Sequence, residues 1–390
     1  SNELACSRTD NLVMMRSTNA AEADARSASN VTAIASHGVT SRASDAVEGA
    51  VALKQEAQHD LSPTEKLEQV RAFMNERVVP NESILDSESD AADALIAELQ
   101  REVKDAGLWA PHVPPEAGGT GTGFLDYAYL NEQIGRVSWA QLIFGCQAPD
   151  AGNGEILHLF GTPEQKERFL VPLVAGETRS FFGMTEPENA GSDPTKLDSR
   201  AVRDGDDWVI NAHKWFSSAA DGAGFAILMA VTDPDAAPHK RATMLLVPTD
   251  APGFNMVRPL SNMGHVDGPG HWEIAYEDCR VPVAEATLNE VGSGFKVAQD
   301  RLGPGRIHHC MRLIGVAERA LEMMCDRAQS REMFGTKLAD RQFIQDFIAL
   351  SRAEIDQAKL LTLNAAWRLD QVGNREARRE LSGTKLVVPK

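Results

Sequence analysis

The sequence lacks the features that mark several common classes of protein. No apolar run approaches the roughly twenty residues needed to cross a bilayer, so no membrane span is predicted. No cluster of Lys and Arg is present and the formal net charge is −17, which argues against a nucleic-acid partner. The five cysteines are odd in number, far apart and without CxxC spacing, which is typical of reduced intracellular thiols rather than of a disulfide framework or a zinc site. No GxGxxG motif follows a predicted strand, so a Rossmann fold is not predicted either.

What is present is typical of a large globular protein. Hydrophobic residues make up 43% and charged residues 24% of the 390 positions, and this length accommodates two or three domains with buried cores. Residues 1–60 have few large apolar side chains, so we expect a mostly disordered tail. The Arg and Ser content of this tail fits a targeting peptide, but its acidic residues do not, and a linker from an upstream domain is the alternative.

Hydrophobic periodicity divides the remainder into three segments. Residues 61–180 carry helical patterns, beginning with a helix-start signal at Ser62-Pro63, and predict an N-terminal helical domain. Residues 181–290 carry short β-prone runs separated by Asp-Pro and Pro-Gly turns, which predict a compact β-barrel or sandwich domain. Residues 291–390 return to long helical stripes, which predict a partial C-terminal helical bundle. The predicted fold class is therefore α+β multidomain.

Residues 181–218 carry the most specific pattern. A short apolar strand ends at Thr185-Glu186-Pro187, where the proline removes a ladder donor. The small residues from Asn189 to Asp193 then offer N–H groups and a hydroxyl to an anion, and a second strand ends in His-Lys-Trp-Phe-Ser-Ser. The pattern fits an ordinary β-hairpin with a polar loop. It equally fits a site for a flat heteroaromatic cofactor that carries a pyrophosphate.

A family resemblance separates these two interpretations. TEP, a small-residue turn, GSD and a Lys-Trp-aromatic-x-Ser strand together resemble the flavin-binding signature of the acyl-CoA dehydrogenase family. Residues 331–335, REMFG, resemble the RxxFG motif of that family. Residues 146–150, CQAPD, and residues 301–312, RLGPGRIHHCMR, are similar to the branch of acyl-CoA dehydrogenase family members ten and eleven. The resemblance covers about residues 65–390 and implies an N-terminal helical domain, a central β domain, a C-terminal helical bundle and FAD as cofactor.

The resemblance implies two groups of cofactor-binding residues. The first group follows the two strands of the hairpin and comprises Phe182, Met184, Thr185, Ser192, Phe216, Ser217 and Ser218. The second group, Arg331, Phe334 and Gln342, would reach the flavin of a neighbouring subunit. Phe216 stands where the family usually has tryptophan, and Ser218 replaces a threonine. The turn is one residue longer than the common form, so the assignment of Ser192 could shift by one. The alternative for Met184 is core packing, and for Arg331 it is a surface ion pair.

Residues 303–306, Gly-Pro-Gly-Arg, are predicted to open a helix, because proline is favoured in a first turn and glycine at a boundary. Free N–H groups at such an N-terminus bind anions. The resemblance places the acyl-CoA substrate against this segment, with Ser192, Gly303, Pro304, Gly305 and Arg306 as contacts. A simple loop before a helix is the alternative. For His308 and His309, packing and polar contacts are favoured over a metal site, because adjacent helical side chains diverge by about 100°.

The resemblance implies removal of an α proton from an acyl thioester and hydride transfer to flavin N5. That reaction needs a carboxylate general base with a raised pKa. By comparison with the family, this base and the glycine-rich segment for the flavin adenine are expected C-terminal to residue 390. No catalytic residue is therefore assigned, and the chain is expected to be C-terminally truncated.

The predicted activity is that of an FAD-dependent acyl-CoA dehydrogenase acting in fatty acid β-oxidation. It would form a 2-enoyl-CoA, pass electrons to an electron-transfer flavoprotein, and work as a homodimer or homotetramer. Two alternatives stay open: an acyl-CoA oxidase that uses oxygen, and a non-catalytic fragment or pseudoenzyme. The implied compartment is a mitochondrion or peroxisome in a eukaryote and the cytoplasm in a bacterium.

Overall fold

A computed structural model describes residues 61–87, 89–264 and 270–390. The predicted tail of residues 1–60 lies outside these ranges. The first part is helical, and its first helix starts at the expected signal: the Ser62 hydroxyl accepts from the Glu65 N–H, and the Glu65 carboxylate accepts from the Ser62 N–H. The helices are α1 (Pro63–Phe73), α2 (Glu82–Leu85), α3 (Asp90–Asp105), α4 (Phe124–Ile134), α5 (Ala140–Ile143), α6 (Asp150–Phe160), α7 (Pro163–Gln165) and α8 (Val171–Ala175).

The central part is a mixed β-sheet. Its strands are β1 (Ser180–Gly183), β2 (Arg200–Asp204), β3 (Asp207–Ser218), β4 (Phe225–Val231), β5 (Ala242–Pro248), β6 (Phe254–Leu260), β7 (His271–Pro282) and β8 (Thr287–Leu288), with the short helix α9 (Val283–Ala286) before β8. The strand order is β6-β7-β3-β2-β4-β5-β8, and β1 lies parallel to β4. The parallel pairing of β1 with β4 is what fixes the position of the segment that follows β1.

Strand β4 is buried at every position because its two faces belong to different cores. Ile227 and Met229 pack with the helices, whereas Leu228 packs with residues such as Phe181 and Ile210 inside the sheet. The sheet therefore curls around its own interior while one wall rests on the helical part. The predicted α+β fold class is confirmed.

The last part is helical again and is built on one long helix. It comprises α10 (Gly294–Ser330), a hairpin of β9 (Glu332–Met333) and β10 (Thr336–Lys337), α11 (Gln342–Glu376) and α12 (Arg378–Val387). Helix α10 crosses α4 at close range, since a Cβ on Gly315 would lie 2.1 Å from the Glu132 carbonyl oxygen. No helix among the described residues is both long enough and apolar enough to span a bilayer.

The prediction that residues 303–306 open a helix is wrong. Helix α10 already begins at Gly294, and Pro304 lies in its interior. Packing explains why the helix continues through this segment: Gly303 is buried so closely against Asn374 that a Cβ would lie 1.8 Å from Oδ1. Pro304 lacks an N–H, so it deprives the Asp300 carbonyl of its helical donor, but it does not end the helix. The anion-binding N–H groups expected here are therefore engaged in helical bonds.

Candidate active site

Two hydrogen bonds join the segment just after β1 to the last part of β3. The Trp215 N–H donates to the Thr185 carbonyl oxygen at 3.1 Å, and the Thr185 hydroxyl donates to the Trp215 carbonyl oxygen at 2.8 Å. The structure thus brings the predicted cofactor residues Met184 and Thr185 alongside Phe216.

A buried ion pair lies beneath this junction. Lys214 Nζ donates to Glu186 Oε1 at 2.8 Å and to the Met184 carbonyl oxygen at 3.0 Å. Burial lowers the pKa of Lys214 to about 8, although the Glu186 charge opposes this change. Burial opposes ionisation of Glu186 as well, but the Lys214 charge and donated hydrogen bonds outweigh it and lower the pKa of Glu186 to about 2. At neutral pH the pair is ionised and anchors β3 to the segment after β1.

The same carboxylate organises the small-residue turn. Glu186 accepts hydrogen bonds from the N–H groups of Asp198 and Ser199 at 2.6 and 3.0 Å, and from Asn189 Nδ2 at 2.9 Å. The turn folds back over Thr185, because a Cβ on Gly191 would lie 3.0 Å from the Thr185 methyl group. Ser192 is exposed on this turn, so its hydroxyl is available to a ligand.

The end of β3 combines an exposed ring with a buried hydroxyl. Phe216 is 46% exposed and has a φ of +47°, a conformation that is costly for an aromatic residue and typical of functional sites. Among the described residues the buried Ser217 hydroxyl has no hydrogen-bond partner, which costs about 1–3 kcal/mol unless a ligand or water completes it. The Ser218 hydroxyl lies 2.8 Å from His271 Nδ1. The site residues therefore fit a planar cofactor that carries hydrogen-bonding atoms.

Helix α10 touches this region through one cation–π contact. The Arg301 guanidinium carbon lies 4.1 Å from the centroid of the Phe182 ring, and Arg301 Nε donates to Asn153 Oδ1 at 2.8 Å. The predicted substrate residues Gly303, Pro304, Gly305 and Arg306 follow within about one turn and a half of the helix. Within the described residues, no hydrogen bond or ion pair engages the Arg306 side chain.

The second predicted group of cofactor residues lies elsewhere. Arg331 follows Arg301 by roughly thirty residues of helix, which corresponds to about 45 Å. Phe334 is 94% exposed in the β9–β10 hairpin and has a φ of +54°. Gln342 begins α11 and is also exposed. One chain therefore does not bring these three residues to the end of β3.

A buried polar cluster was missed by sequence reasoning. His308 Nε2 lies 2.8 Å from Glu155 Oε1, 153 residues away in sequence, and His308 Nδ1 lies 3.1 Å from the Tyr127 hydroxyl. Burial raises the pKa of Glu155 to about 7 and lowers the pKa of His308 well below its ordinary value. The expected polar contacts of His308 are present, but no local signal pointed to their carboxylate partner. Among the described residues, no group of His, Cys, Asp and Glu is arranged to hold a metal ion.

Comparisons with known proteins match all three parts of the described chain to one family. Family models for the N-terminal, middle and C-terminal domains of acyl-CoA dehydrogenase match residues 64–177, 181–279 and 292–390. Acyl-CoA dehydrogenase family member 11 of Gallus gallus is 44% identical over 84% of this chain, and this chain spans only 43% of that relative.

Two further relatives match over most of their own length. The Mycobacterium tuberculosis protein named "Probable acyl-CoA dehydrogenase FadE2" is 46% identical over 82% of this chain and 80% of the relative. The solved structure of butyryl-CoA dehydrogenase from Megasphaera elsdenii is 27% identical with a TM-score of 0.69, covering 84% of this chain and 86% of that one. The motifs, the fold and these matches together establish that the chain belongs to the acyl-CoA dehydrogenase family.

Proposed function

We propose that this chain is the dehydrogenase part of an FAD-dependent enzyme that oxidises an acyl-CoA to a 2-enoyl-CoA. The observation that carries the proposal is the junction of Thr185 with Trp215, next to the positive-φ backbone of Phe216 and the Ser217 hydroxyl, which has no partner among the described residues. When bound, FAD would supply the hydride acceptor for the α,β-dehydrogenation.

The residues around the junction have distinct proposed roles. Met184, Phe182 and Phe216 supply apolar surface to the ring system, while Thr185, Ser217 and Ser218 supply hydrogen bonds. Ser192 offers its hydroxyl to a phosphate at the exposed end of the site. The Lys214–Glu186 pair holds these groups in place without needing to touch the cofactor, because it binds the Met184 carbonyl and the turn.

The acyl thioester is proposed to lie between this junction and α10. Gly305 presents no side-chain bulk, since nothing lies within 4 Å of a Cβ placed there, and the uncommitted Arg306 side chain supplies a positive charge. Charge on the thioester oxygen increases when the α proton is removed, and nearby donors stabilise it. No described residue is proposed as the general base.

A second copy of the chain is proposed to complete the site, in a homodimer or homotetramer. Arg331, Phe334 and Gln342 are then available to the flavin of the neighbouring subunit, and Arg331 has no side-chain partner within its own described chain. Three apolar side chains on α11, Phe343, Phe347 and Leu350, are 53–78% exposed and form a face that a second copy would cover. The first part of α11 thus has an apolar face that the single chain leaves exposed.

The test of the proposal is the visible absorbance spectrum of the desalted protein, measured together with its mass in solution. Near-stoichiometric FAD in an oligomer is the expected result, and bleaching by acyl-CoA without oxygen is expected of a protein that also carries the general base. Transfer of electrons to an electron-transfer flavoprotein without hydrogen peroxide separates the dehydrogenase from an acyl-CoA oxidase. An oligomer that binds no FAD when the cofactor is added would contradict the proposal and favour a non-catalytic role.

A further inference from the structure

Two consecutive residues of β3 hold the turn after β1 from opposite sides. Successive side chains of a strand point to opposite faces of the sheet, so the buried Lys214 and the half-exposed His213 face different ways. Lys214 binds Glu186, which precedes Pro187, whereas His213 Nδ1 lies 3.3 Å from Oε1 of Glu188, which follows it. The side chains of His213 and Glu188 are 41% and 61% exposed. The turn therefore has a second anchor, on the solvent side of the sheet.

The His213 ring has a carboxylate at each of its two nitrogens. Its Nε2 lies 2.8 Å from Glu273 Oε1 on β7, and its Nδ1 faces Glu188 on the turn. A neutral imidazole has one N–H, so it donates to one of these carboxylates and turns a lone pair toward the other. A protonated imidazole has two N–H groups and donates to both. The geometry is therefore that of an imidazolium held between two carboxylates.

The charges around His213 balance only when its ring is protonated. Arg258 Nε on β6 lies 2.8 Å from Glu273 Oε2, so β6 and β7 each contribute a charged group. Hydrogen bonding to His213 and, to a smaller extent, the charge of Arg258 lower the pKa of Glu273 against the opposing effect of desolvation. Among the described residues, this network therefore has two carboxylates, Glu188 and Glu273, and one permanent cation, Arg258. The protonated ring supplies the second positive charge.

Loss of the ring proton should release Glu188 rather than Glu273. The contact of His213 with Glu273 is the shorter of the two, and the Glu273 side chain is only 13% exposed, so water replaces this contact less readily. Glu188 and Ser192 lie on the same turn, which folds back over Thr185. Release of Glu188 therefore loosens the segment that carries the Ser192 hydroxyl.

We propose that His213 is a positioning residue that clamps the turn through Glu188 when its ring is protonated and releases the turn when the proton is lost. Histidine side chains change charge between about pH 5 and 8, so the clamp responds to pH in the physiological range. The clamp itself rests on the contacts of His213 with the two carboxylates. Its effect on the cofactor rests on the proposed function, in which Ser192 meets a phosphate.

The test is hydrogen–deuterium exchange of residues 187–199 in the 390-residue chain, compared at about pH 5.5 and about pH 8.5 and corrected for the intrinsic pH dependence of exchange. This segment contains hydrogen-bonded N–H groups at Asp193, Asp198 and Ser199. We expect protection in the parent to fall about threefold at the higher pH, which is the effect of one exposed ion pair. His213→Gln should show the lower protection at both pH values. His213→Arg keeps a positive charge and should show the higher protection at both.

The control is His239→Gln, which changes an exposed histidine that packs against the Phe295 ring and should keep the parental pH dependence. Two results would overturn the clamp: equal protection of the turn at both pH values in the parent, and a pH dependence that persists unchanged in His213→Gln.

The effect on the cofactor is measured as the Kd of added FAD for the same proteins at the same two pH values. We expect the parent to bind FAD about threefold more weakly at the higher pH, and His213→Arg to lose this difference. A parent whose turn responds to pH but which binds no FAD refutes the proposed function alone. A Kd for FAD that is equal at both pH values, while protection of the turn changes, refutes the link between His213 and the cofactor.

Discussion

Lys214 Nζ lies 2.8 Å from Glu186 Oε1, and the two side chains are 0% and 2% exposed. The pair connects three parts of the candidate site, since Lys214 also binds the Met184 carbonyl and Glu186 binds the backbone after the turn. A buried ion pair adds little net stability compared with an apolar pair. Removing one partner, however, leaves the other charge buried and unpaired.

Replacing Lys214 with methionine should therefore lower the free energy of unfolding by about 3–5 kcal/mol. Urea denaturation of the parent and the variant measures this change. Lys196→Met is the matched control, because Lys196 is largely exposed and its ion pair with Asp193 should contribute less than about 1 kcal/mol. Equal losses in the two variants would refute the special role of the buried pair.

Glu186 should make the stability of the protein fall at acidic pH. The pKa of Glu186 is lowered from 4.5 to about 2 in the folded protein. Its contribution to the free energy of unfolding is therefore fully present above pH 4.5 and is lost as the pH falls toward about 2. The stability difference between the parent and Glu186→Gln should shrink over that window. Urea denaturation across the window measures it, and a constant difference would show that Glu186 is not the titrating group.

Glu155 should change the stability of the protein with pH in the opposite direction to Glu186. Burial raises its pKa from 4.5 to about 7, so the folded protein binds more protons than the unfolded chain between these values. The contribution of Glu155 is therefore greatest below pH 4.5 and is lost as the pH rises to about 7. Glu155→Gln should gain stability relative to the parent across that range. The exposed Glu167→Gln is the control, and a parallel pH profile in both variants would contradict the expectation.

Two glycines of α10 offer a matched pair of substitutions. Alanine at Gly303 would displace the Asn374 side chain, which donates to the Gln299 carbonyl and to Asp300 Oδ1 at 3.1 and 3.0 Å. Alanine at Gly305 meets no atom within 4 Å. We expect Gly303→Ala to destabilise by about 1 kcal/mol or more, and Gly305→Ala to stabilise by about 0.5–1 kcal/mol through helix propensity. Urea midpoints that shift in the same direction would contradict the packing described here.

Arg331→Ala should reduce the flavin content of the assembled protein, because the proposed role of Arg331 is to bind a phosphate of the neighbouring subunit's cofactor. The ratio of flavin absorbance to protein, measured after gel filtration, gives the result. Arg327→Ala removes an exposed arginine four residues earlier on α10 and serves as the control. Unchanged flavin content in Arg331→Ala would remove Arg331 from the site.

Local signals predicted the features that depend on local physics. The start of α1 follows from the Ser62, Pro63 and Glu65 capping pattern, and the buried strand β4 follows from its unbroken apolar run. The break at Pro187 correctly predicted that the chain leaves the sheet after β1.

Features that depend on distant partners could not be predicted in the same way. Gly303 and Pro304 carry boundary signals, but packing against Asn374 overrides them and the helix continues. Glu155 and Glu186 are ordinary acidic residues in the sequence. Their roles come from His308 and Lys214, which only the fold brings within 2.8 Å.

The contact between the first and last helical parts has a consequence for synthesis of the protein. The Phe124 N–H donates to Asp370 Oδ1 at 2.9 Å across a sequence separation of 246 residues, and Tyr127 meets His308 across 181. Because the whole β-sheet is translated between these partners, α4 leaves the ribosome long before α10 and α11. At about 5–20 residues per second, the apolar face of α4 remains uncovered by α10 and α11 for on the order of tens of seconds. The packing of α4 against α10 and α11 therefore forms late in translation. The nascent chain should depend on chaperones during that interval.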